Sequence, residues 1–302
     1  MEQTFYSNGK LLITGEYVVL DGAKAFALPT KSGQNLIITE GTNRNIEWTS
    51  YDNDGSIWFD SIISFESIIT KEGFEDDKIK TTLVEILHHA YLLNNGFLNS
   101  EGYRIKTKLT FPKFWGLGTS STLINNISQW LKIDAFLLLK NSFGGSGYDI
   151  ACAQNNSPII YHLENGKPIV NPIDFAPDYS DKIYFIYLNQ KQNSRDAINS
   201  YYNKQGDISK AIPVIDRITQ QTINAKEAVD FAKALQKHEI EMSTILEMQT
   251  IQEALFPDFE GVIKSLGAWG GDFVLAISKE NPTNYFNKKG YKTIIPYAQM
   301  IL

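Results

Sequence analysis

The segment at residues 112–122 combines glycines with a run of hydroxyl side chains, a pattern suited to binding an anion. Gly116 and Gly118 allow the backbone to come close to a ligand, and three hydroxyl residues follow at 119–121. If a helix begins here, its first N–H groups lack partners within the helix and, together with the helix dipole, favour a phosphate. The segment is neither a Walker A loop nor a Rossmann fingerprint, and a Thr or Ser that only caps the helix explains it equally well.

A second glycine-rich segment, residues 144–147, leads directly into Tyr148 and Asp149. Its glycines and Ser146 suit a loop that approaches a ligand closely. An aspartate held beside a phosphate can orient an attacking hydroxyl or accept its proton. Taken alone, the segment is explained more simply as a turn in which Asp149 caps a short helix.

A third segment, residues 265–272, contains Gly267, Gly270 and Gly271 in front of a β-rich run. Such a density of glycine costs backbone entropy, so it indicates a tight turn or a backbone that approaches a ligand. A hairpin turn and a ligand loop are equally compatible with this pattern.

Near the start of the chain, Lys10 and Glu16 flank the apolar run at residues 11–14. A lysine beside a phosphate acts as a point charge. Isolated charges on a strand more often face solvent, which is the alternative for both residues.

Hydrophobic periodicity predicts the elements that position these segments. Residues 103–111 alternate apolar and basic side chains, as a half-exposed strand does, and a helix is expected from Thr119 through Leu131. The other predicted strands are at 11–14, 17–20, 36–39, 46–49, 159–163, 183–188 and 273–277. The other predicted helices are at 78–94 and 209–252, the second with breaks at Pro213 and near His238.

Length and composition set the domain organisation. The chain has 302 residues, of which 43% are apolar and 21% charged. This length allows about two domains, and composition shifts around residues 165–182, where we place the boundary between residues 170 and 171. The first part is strand-rich and the second mixes strands and helices, which predicts an α+β fold.

Charge and cysteine content exclude several kinds of protein. The chain has 28 Lys and Arg against 34 Asp and Glu, a formal net charge of −6. Because it lacks basic blocks, a broad nucleic-acid surface is not expected, whereas a small anionic ligand needs only a local pocket. Cys152, the one cysteine, suits a reducing compartment. With no long apolar run and no secretory pattern, we expect a soluble, cytoplasmic protein without a membrane partner.

Taken in order, the four segments resemble the GHMP kinases, a family that includes galactokinase, homoserine kinase, mevalonate kinase and phosphomevalonate kinase. The N-terminal pair Gly9-Lys10 and Gly15-Glu16-Tyr17 resembles mevalonate and phosphomevalonate kinases, and the segments at 145–149 and 270–272 are more similar to the latter. The resemblance implies an α+β, two-domain GHMP kinase fold. Residues 1–170 would form an ATP-binding domain like the second domain of ribosomal protein S5, and residues 171–302 a ferredoxin-like domain.

The resemblance also implies an activity. The chain would be an ATP-dependent kinase that uses Mg²⁺ and phosphorylates a small molecule, with mevalonate or phosphomevalonate as acceptor, in the mevalonate pathway of isoprenoid biosynthesis. Asp149 would be the catalytic aspartate, and Lys10 would lower charge repulsion at the reacting centre. The ATP phosphates would contact Gly116, Leu117, Gly118, Thr119, Ser120 and Ser121, with the Ser120 hydroxyl near Mg²⁺. The loops for substrate or phosphate would contribute Glu16, Ser146, Gly147, Ser194, Arg195, Gly267, Ala268, Gly270 and Gly271.

Two departures from the family pattern keep other functions open. Mevalonate kinase-like members hold Mg²⁺ with a glutamate upstream of the aspartate, but here that position is near Leu138 and no acid lies between Asp134 and Asp149. Trp269 also replaces a usual glycine. One alternative is therefore a catalytically degenerate GHMP-fold protein that binds a nucleotide or a partner. Another is a decarboxylase of mevalonate diphosphate, which uses ATP on the same fold. The sequence does not decide between a monomer and a homodimer.

Overall fold

The computed structural model describes residues 1–190, 198–199, 201–203, 208–269 and 271–302. Its strands are β1 Gln3–Thr14, β2 Ala25–Glu40, β3 Asn45–Tyr51, β4 Ile57–Ser64, β5 Tyr103–Leu109, β6 Ile159–Glu164, β7 Lys167–Pro172, β8 Ile183–Tyr187, β9 Val262–Leu266, β10 Phe273–Ile277 and β11 Ile294–Pro296. Its α-helices are α1 Phe65–Thr70, α2 Lys78–Leu93, α3 Thr119–Leu131, α4 Ala135–Ser142, α5 Tyr148–Gln154, α6 Ala211–Asn224, α7 Ala228–Leu246, α8 Ile251–Leu255, α9 Thr283–Lys288 and α10 Tyr297–Met300.

The contacts between residues divide the chain into two compact units that interleave along the sequence. The first unit comprises residues 1–9, 32–113 and 117–154. The second comprises residues 10–31, 114–116 and 155–302. The predicted boundary at 170/171 concerns family domains and stays a prediction.

The first unit places helices on a mixed sheet. Strand β3 pairs antiparallel with β4 and parallel with β5, and β5 pairs antiparallel with the later part of β2. Along β5, Ile105, Thr107 and Leu109 are buried whereas the basic residues between them are exposed, which agrees with the predicted alternation. Helices α2, α3 and α4 pack against one another over a core that includes the fully buried Leu138.

The second unit contains an antiparallel sheet with the strand order β11-β8-β10-β9. Every residue of β10 is buried, as expected for a central strand that is covered on both faces. In the same unit the first residues of β2 pair with β6. A two-residue turn, Asn165 and Gly166, joins β6 to β7, and both residues have the positive φ that such a hairpin turn requires.

Two details of the predicted elements differ from the structure. Residues 17–20 were expected as a strand, but Val18–Asp21 is a short 3-10 helix with Gly22 in the left-handed conformation at its end. The helical stretch at 209–252 breaks at residues 225–227 and again at 247–250, not at Pro213 or His238. Pro213 lies in the first turn of α6, where a missing N–H costs nothing.

A search of the described residues finds no helix whose length and apolar character would let it cross a membrane.

Candidate functional site

The loop before α3 leaves the start of that helix without a side-chain cap. Gly118 is the N-cap residue, with φ 95° in the left-handed region, and as a glycine it supplies no side-chain hydrogen bond to the first turn of the helix. The hydroxyls of Thr119 and Ser120 therefore do not serve as the N-cap, which was the alternative interpretation of the sequence. An uncapped helix start of this kind offers backbone donors and a positive dipole end to an anion.

A buried network of neutral polar groups anchors the first turns of α3. The Thr122 hydroxyl donates to Gln34 Oε1 at 2.7 Å, and Asn126 Nδ2 donates to the Gln34 carbonyl at 2.9 Å. The Ser7 hydroxyl donates to Asn126 Oδ1 at 2.7 Å and accepts from Asn125 Nδ2 at 2.8 Å. Because these partners lie on β1 and β2, the network fixes the helix, and with it the preceding loop, to the sheet of the first unit.

Asp149 lies in the same unit, in the first turn of α5, and is half-buried. The loop before it has positive φ at Gly144, Gly145 and Gly147, which explains the glycines at these positions. Helix α5 packs against α3, and Gln154 Nε2 donates to the Asn125 side chain at 3.0 Å. The helix that carries Asp149 is thus attached to the helix that follows the first glycine-rich loop.

A cavity of about 390 Å³ opens at the end of β5 in the first unit. The Lys108 ammonium lies 5.9 Å from the centre of the Tyr51 ring, and Asp52 accepts a 3.0 Å hydrogen bond from the Lys113 amide. The lining residues are Tyr51, Asp52, Asn53, Gly55, Lys106, Lys108 and Leu109. A concave pocket with an aromatic ring and lysines suits a planar, negatively charged ligand.

Residues 114–116, which precede the helix start, belong to the second unit and pack on its antiparallel sheet. The Trp115 ring meets Phe273 edge-on at 5.5 Å and lies 6.3 Å from Tyr187, and the Tyr187 hydroxyl donates to the Phe114 carbonyl at 3.3 Å. At Gly116, φ is 66° and a Cβ would collide with the carboxylate of Asp272. Glycine is therefore required there for both space and conformation.

The loop after β9 points its one large side chain into the core. Trp269 is 7% exposed and joins an apolar cluster with Met242 and Leu246. Its backbone N–H donates to the Tyr17 hydroxyl at 2.8 Å, and its indole N–H donates to the Gln249 carbonyl at 3.1 Å. Gly267 has φ 69°, and no atom lies within 4 Å of where its Cβ would be, so conformation alone requires glycine here.

Glu16 is buried in a cluster of charged groups in the second unit. Lys264 Nζ donates to Glu16 Oε1 at 2.6 Å and lies 3.3 Å from Glu239 Oε2. Glu239 also accepts from the Ser265 hydroxyl at 2.9 Å, and His238 Nε2 accepts from the Gly15 N–H at 2.9 Å. By contrast, Lys10 on β1 is half-buried.

Burial and charge set the protonation of this cluster. Burial raises the pKa of Glu16 to about 7, although the charge and hydrogen bond of Lys264 oppose the shift. Burial lowers the pKa of Lys264, but the Glu16 and Glu239 carboxylates more than offset it, so the net pKa is raised. Burial, with the Lys264 charge, holds the pKa of His238 well below its usual value. The imidazole is therefore neutral, which fits its role as an acceptor from Gly15.

The predicted site residues fall into two groups. The first unit contains Leu117, Gly118, Thr119, Ser120, Ser121, Ser146, Gly147 and Asp149; the second contains Lys10, Glu16, Gly116, Gly267, Ala268 and Gly271. Ser194, Arg195 and Gly270 lie outside the described residues.

Sequence reasoning missed Lys264, Glu239 and Asp272 as neighbours of these loops. One signal was available: Lys264 follows two apolar residues in a short strand, and a lysine buried there needs an acidic partner.

Comparison with solved structures identifies the fold. Methanococcus jannaschii mevalonate kinase is 16% identical with a TM-score of 0.71, covering 98% of this chain and 97% of that one. The Streptococcus pneumoniae phosphomevalonate kinase complex with phosphomevalonate and AMPPNP is 15% identical with a TM-score of 0.69, covering 99% and 98%. Lactococcus lactis galactokinase complexed with galactose is 12% identical with a TM-score of 0.64, covering 95% and 88%.

The chain has the GHMP kinase fold. This confirms both the resemblance and the predicted α+β, two-domain fold class. No protein-family model matches the sequence, and no curated protein does. At these identities the likeness establishes the fold, so the reaction has to be argued from the site.

Proposed function

We propose that this protein is an ATP-dependent phosphotransferase that acts on a small hydroxylated or phosphorylated acceptor, of the mevalonate or phosphomevalonate type. The observation that carries the proposal is the uncapped start of α3 behind Gly118, on a fold whose solved examples include mevalonate kinase and phosphomevalonate kinase. The triphosphate would bind the backbone N–H groups at residues 117–121 and the hydroxyl of Ser120.

The cavity at the end of β5 supports a nucleotide as the ligand. Its volume of about 390 Å³ is within the range of small-molecule pockets, and its Tyr51 ring and lysines suit a base and its attached phosphates. It belongs to the same unit as Ser120 and opens beside the chain that leads from β5 into the glycine-rich loop. We therefore propose this cavity for the nucleoside end of ATP.

Mg²⁺ would be held mainly by the nucleotide. Within the described part of the chain, no group of three or more His, Cys, Asp or Glu side chains could hold a metal ion. Magnesium, however, commonly keeps several waters and binds one or two protein oxygens together with substrate phosphates. The hydroxyl of Ser120 is a suitable oxygen, and the bound metal would neutralise charge on the transferred group.

The proposed reaction assigns one step to Asp149. Its carboxylate would orient the acceptor oxygen and take its proton while that oxygen forms a bond to the γ-phosphorus and the bond to ADP breaks. Lys10 would offset the negative charge of the phosphates. The protein would contribute mainly position and charge, which phosphoryl transfer requires more than covalent catalysis.

A second candidate function is nucleotide binding without phosphoryl transfer. Leu138, near the position where a metal-binding glutamate was expected, is fully buried in the apolar core of the first unit. The other reason for this candidate was that Trp269 replaces a usual glycine. This reason is weaker, because the Trp269 side chain is buried in the core of the second unit. The decarboxylase alternative has no structural observation in its favour.

Replacing Asp149 with Asn tests the proposal. We expect turnover to fall about 10²–10⁴-fold, because general-base assistance is lost, while Mg-ATP affinity stays the same. Phosphate transfer should be assayed on mevalonate, phosphomevalonate, homoserine and galactose, and Mg-ATP binding by thermal shift. Asp76→Asn, at an exposed position of the same unit, is the matched control.

The outcomes separate the candidates. Equal turnover of wild type and Asp149→Asn would refute the role of Asp149. Binding of Mg-ATP without transfer to any acceptor would favour the second candidate, and release of carbon dioxide from mevalonate diphosphate would favour a decarboxylase.

A further inference from the structure

Tyr17 has a backbone conformation that an L-residue rarely adopts. Its φ is 61° and its ψ is −55°, two residues after Gly15, whose own φ is 88°. The turn is also tight, since a Cβ on Gly15 would lie 2.8 Å from both Lys24 O and Ala25 Cα. Strain at a residue without glycine's freedom persists only where surrounding contacts hold it, and it commonly marks a functional position.

In this strained conformation, the Tyr17 side chain contacts two other segments of the second unit. It is 9% exposed, and its ring stacks on Tyr201 with a 5.5 Å separation between centroids. Its hydroxyl accepts the 2.8 Å hydrogen bond from the backbone N–H of Trp269, in the middle of the glycine-rich loop after β9. Gly267, two residues before Trp269, contributes no side-chain contacts of its own, so the hydrogen bond to the Trp269 amide restricts this segment.

The neighbouring residue, Glu16, holds the same loop at its base. Lys264, to which Glu16 is paired at 2.6 Å, lies on β9 just before the loop. Lys264 in turn lies 3.3 Å from Glu239 on α7, and all three side chains are at most 3% exposed. Consecutive residues, Glu16 and Tyr17, therefore anchor the loop at two points, one ionic and one through a neutral hydrogen bond.

The indole of Trp269 supplies a third anchor. Its N–H donates to the Gln249 carbonyl at 3.1 Å, and its ring lies in a cluster with Met242 and Leu246. The side chain that replaces glycine in this loop thus fastens the loop to the core of the second unit.

We infer that Tyr17 is a positioning residue that, together with the Glu16–Lys264 pair, fixes residues 267–269 in the conformation that receives the acceptor. This inference rests on the proposed function and deepens it. Tyr17 acts through Trp269, and Glu16 acts through Lys264 instead of contacting the ligand directly.

Replacing Tyr17 with Phe isolates the hydroxyl. The variant keeps the ring that stacks on Tyr201 and removes only the acceptor of the Trp269 amide. Tyr179→Phe is the matched control, because the Tyr179 hydroxyl also bonds a backbone atom of the second unit, the Ala225 carbonyl at 3.1 Å, away from this loop.

Two measurements follow on the full-length protein. Hydrogen exchange of the Trp269 amide should become about tenfold faster in Tyr17→Phe and stay unchanged in Tyr179→Phe, as expected for the loss of one buried hydrogen bond. The kcat/KM for the acceptor should fall about tenfold, while the Kd for Mg-ATP and the melting temperature stay close to wild type. A merely structural role for Tyr17 would not separate acceptor use from ATP binding.

The results distinguish this inference from the proposed function. Equal exchange of the Trp269 amide in wild type and Tyr17→Phe would overturn the inference whatever the assays show. Faster exchange with unchanged acceptor kcat/KM in an active enzyme would also overturn it. If wild type transfers phosphate to no acceptor, the proposed function fails, and the exchange measurement alone then decides whether Tyr17 fixes the loop.

Discussion

Two glycine-rich loops of this protein are held in place by different kinds of force. The loop before α3 depends on a neutral network in which Thr122 and Asn126 bond to Gln34. The loop after β9 depends on a buried cluster of charges, with Lys264 between Glu16 and Glu239. Neutral groups keep their bonds at all ordinary pH values, whereas buried charges make a structure sensitive to pH and to the loss of one partner.

The first prediction from this comparison is that removing the Lys264 ammonium strongly destabilises the protein. In Lys264→Met, two buried carboxylates lose their partner, so the free energy of unfolding should fall by about 3–5 kcal/mol. Urea unfolding near pH 8 measures this loss in the free energy of unfolding. Lys237→Met, at an exposed position on α7, is the control and should change stability by less than about 0.5 kcal/mol. A small loss in Lys264→Met would mean that the cluster is not held by charge.

The second prediction concerns pH. The pKa of Glu16 is raised from 4.5 to about 7, so the folded state keeps a proton that the unfolded chain releases above pH 4.5. The raised pKa stabilises the fold fully below pH 4.5, and that stabilisation is lost as pH rises to about 7. The stability of wild type minus that of Glu16→Gln should therefore fall over this window, by up to about 3 kcal/mol.

Urea unfolding of both proteins at several pH values gives this difference. Glu47→Gln, which removes an exposed ion pair with Arg104, is the control and should show a much smaller change. A difference between wild type and Glu16→Gln that does not change with pH would show that Glu16 is ionised throughout, and the contrast between the two loops would lose its electrostatic basis.

The third and smallest effect belongs to the neutral network. Asn126→Leu keeps the branched shape of a fully buried side chain but removes its bonds to Ser7 and Gln34, so it should cost about 1–3 kcal/mol. None of these three side chains titrates, so the cost should be the same at every pH between 5 and 8. A cost that varied with pH would contradict the distinction between the two loops.

The sequence predicted those parts of the fold that depend on local periodicity. The alternation along β5, the start of α3 at Thr119 and the strand Phe273–Ile277 all agree with the structure. The strand predicted at 17–20 does not agree with the structure, which has a 3-10 helix after Tyr17. The apolar residues of this run indicated burial, and burial alone does not distinguish a strand from a 3-10 helix.

The candidate site was predictable only where its residues are close in sequence. The glycines at 116 and 118 were noticed because each has a local conformational reason. The pairing of Glu16 with Lys264 joins positions 248 residues apart, and only the tertiary fold brings them together. The same holds for the hydrogen bond between Tyr17 and Trp269, a residue that in the sequence was only a departure from the family pattern.

Cys152 makes local opening of the first unit measurable by thiol labelling. It is the one cysteine of the chain, it lies on α5 three positions after Asp149, and it is fully buried. A thiol reagent can therefore label this protein only when α5 separates from its neighbours. The labelling rate reports how often the helix that carries Asp149 detaches, in wild type and in every variant, without a ligand or any knowledge of the reaction.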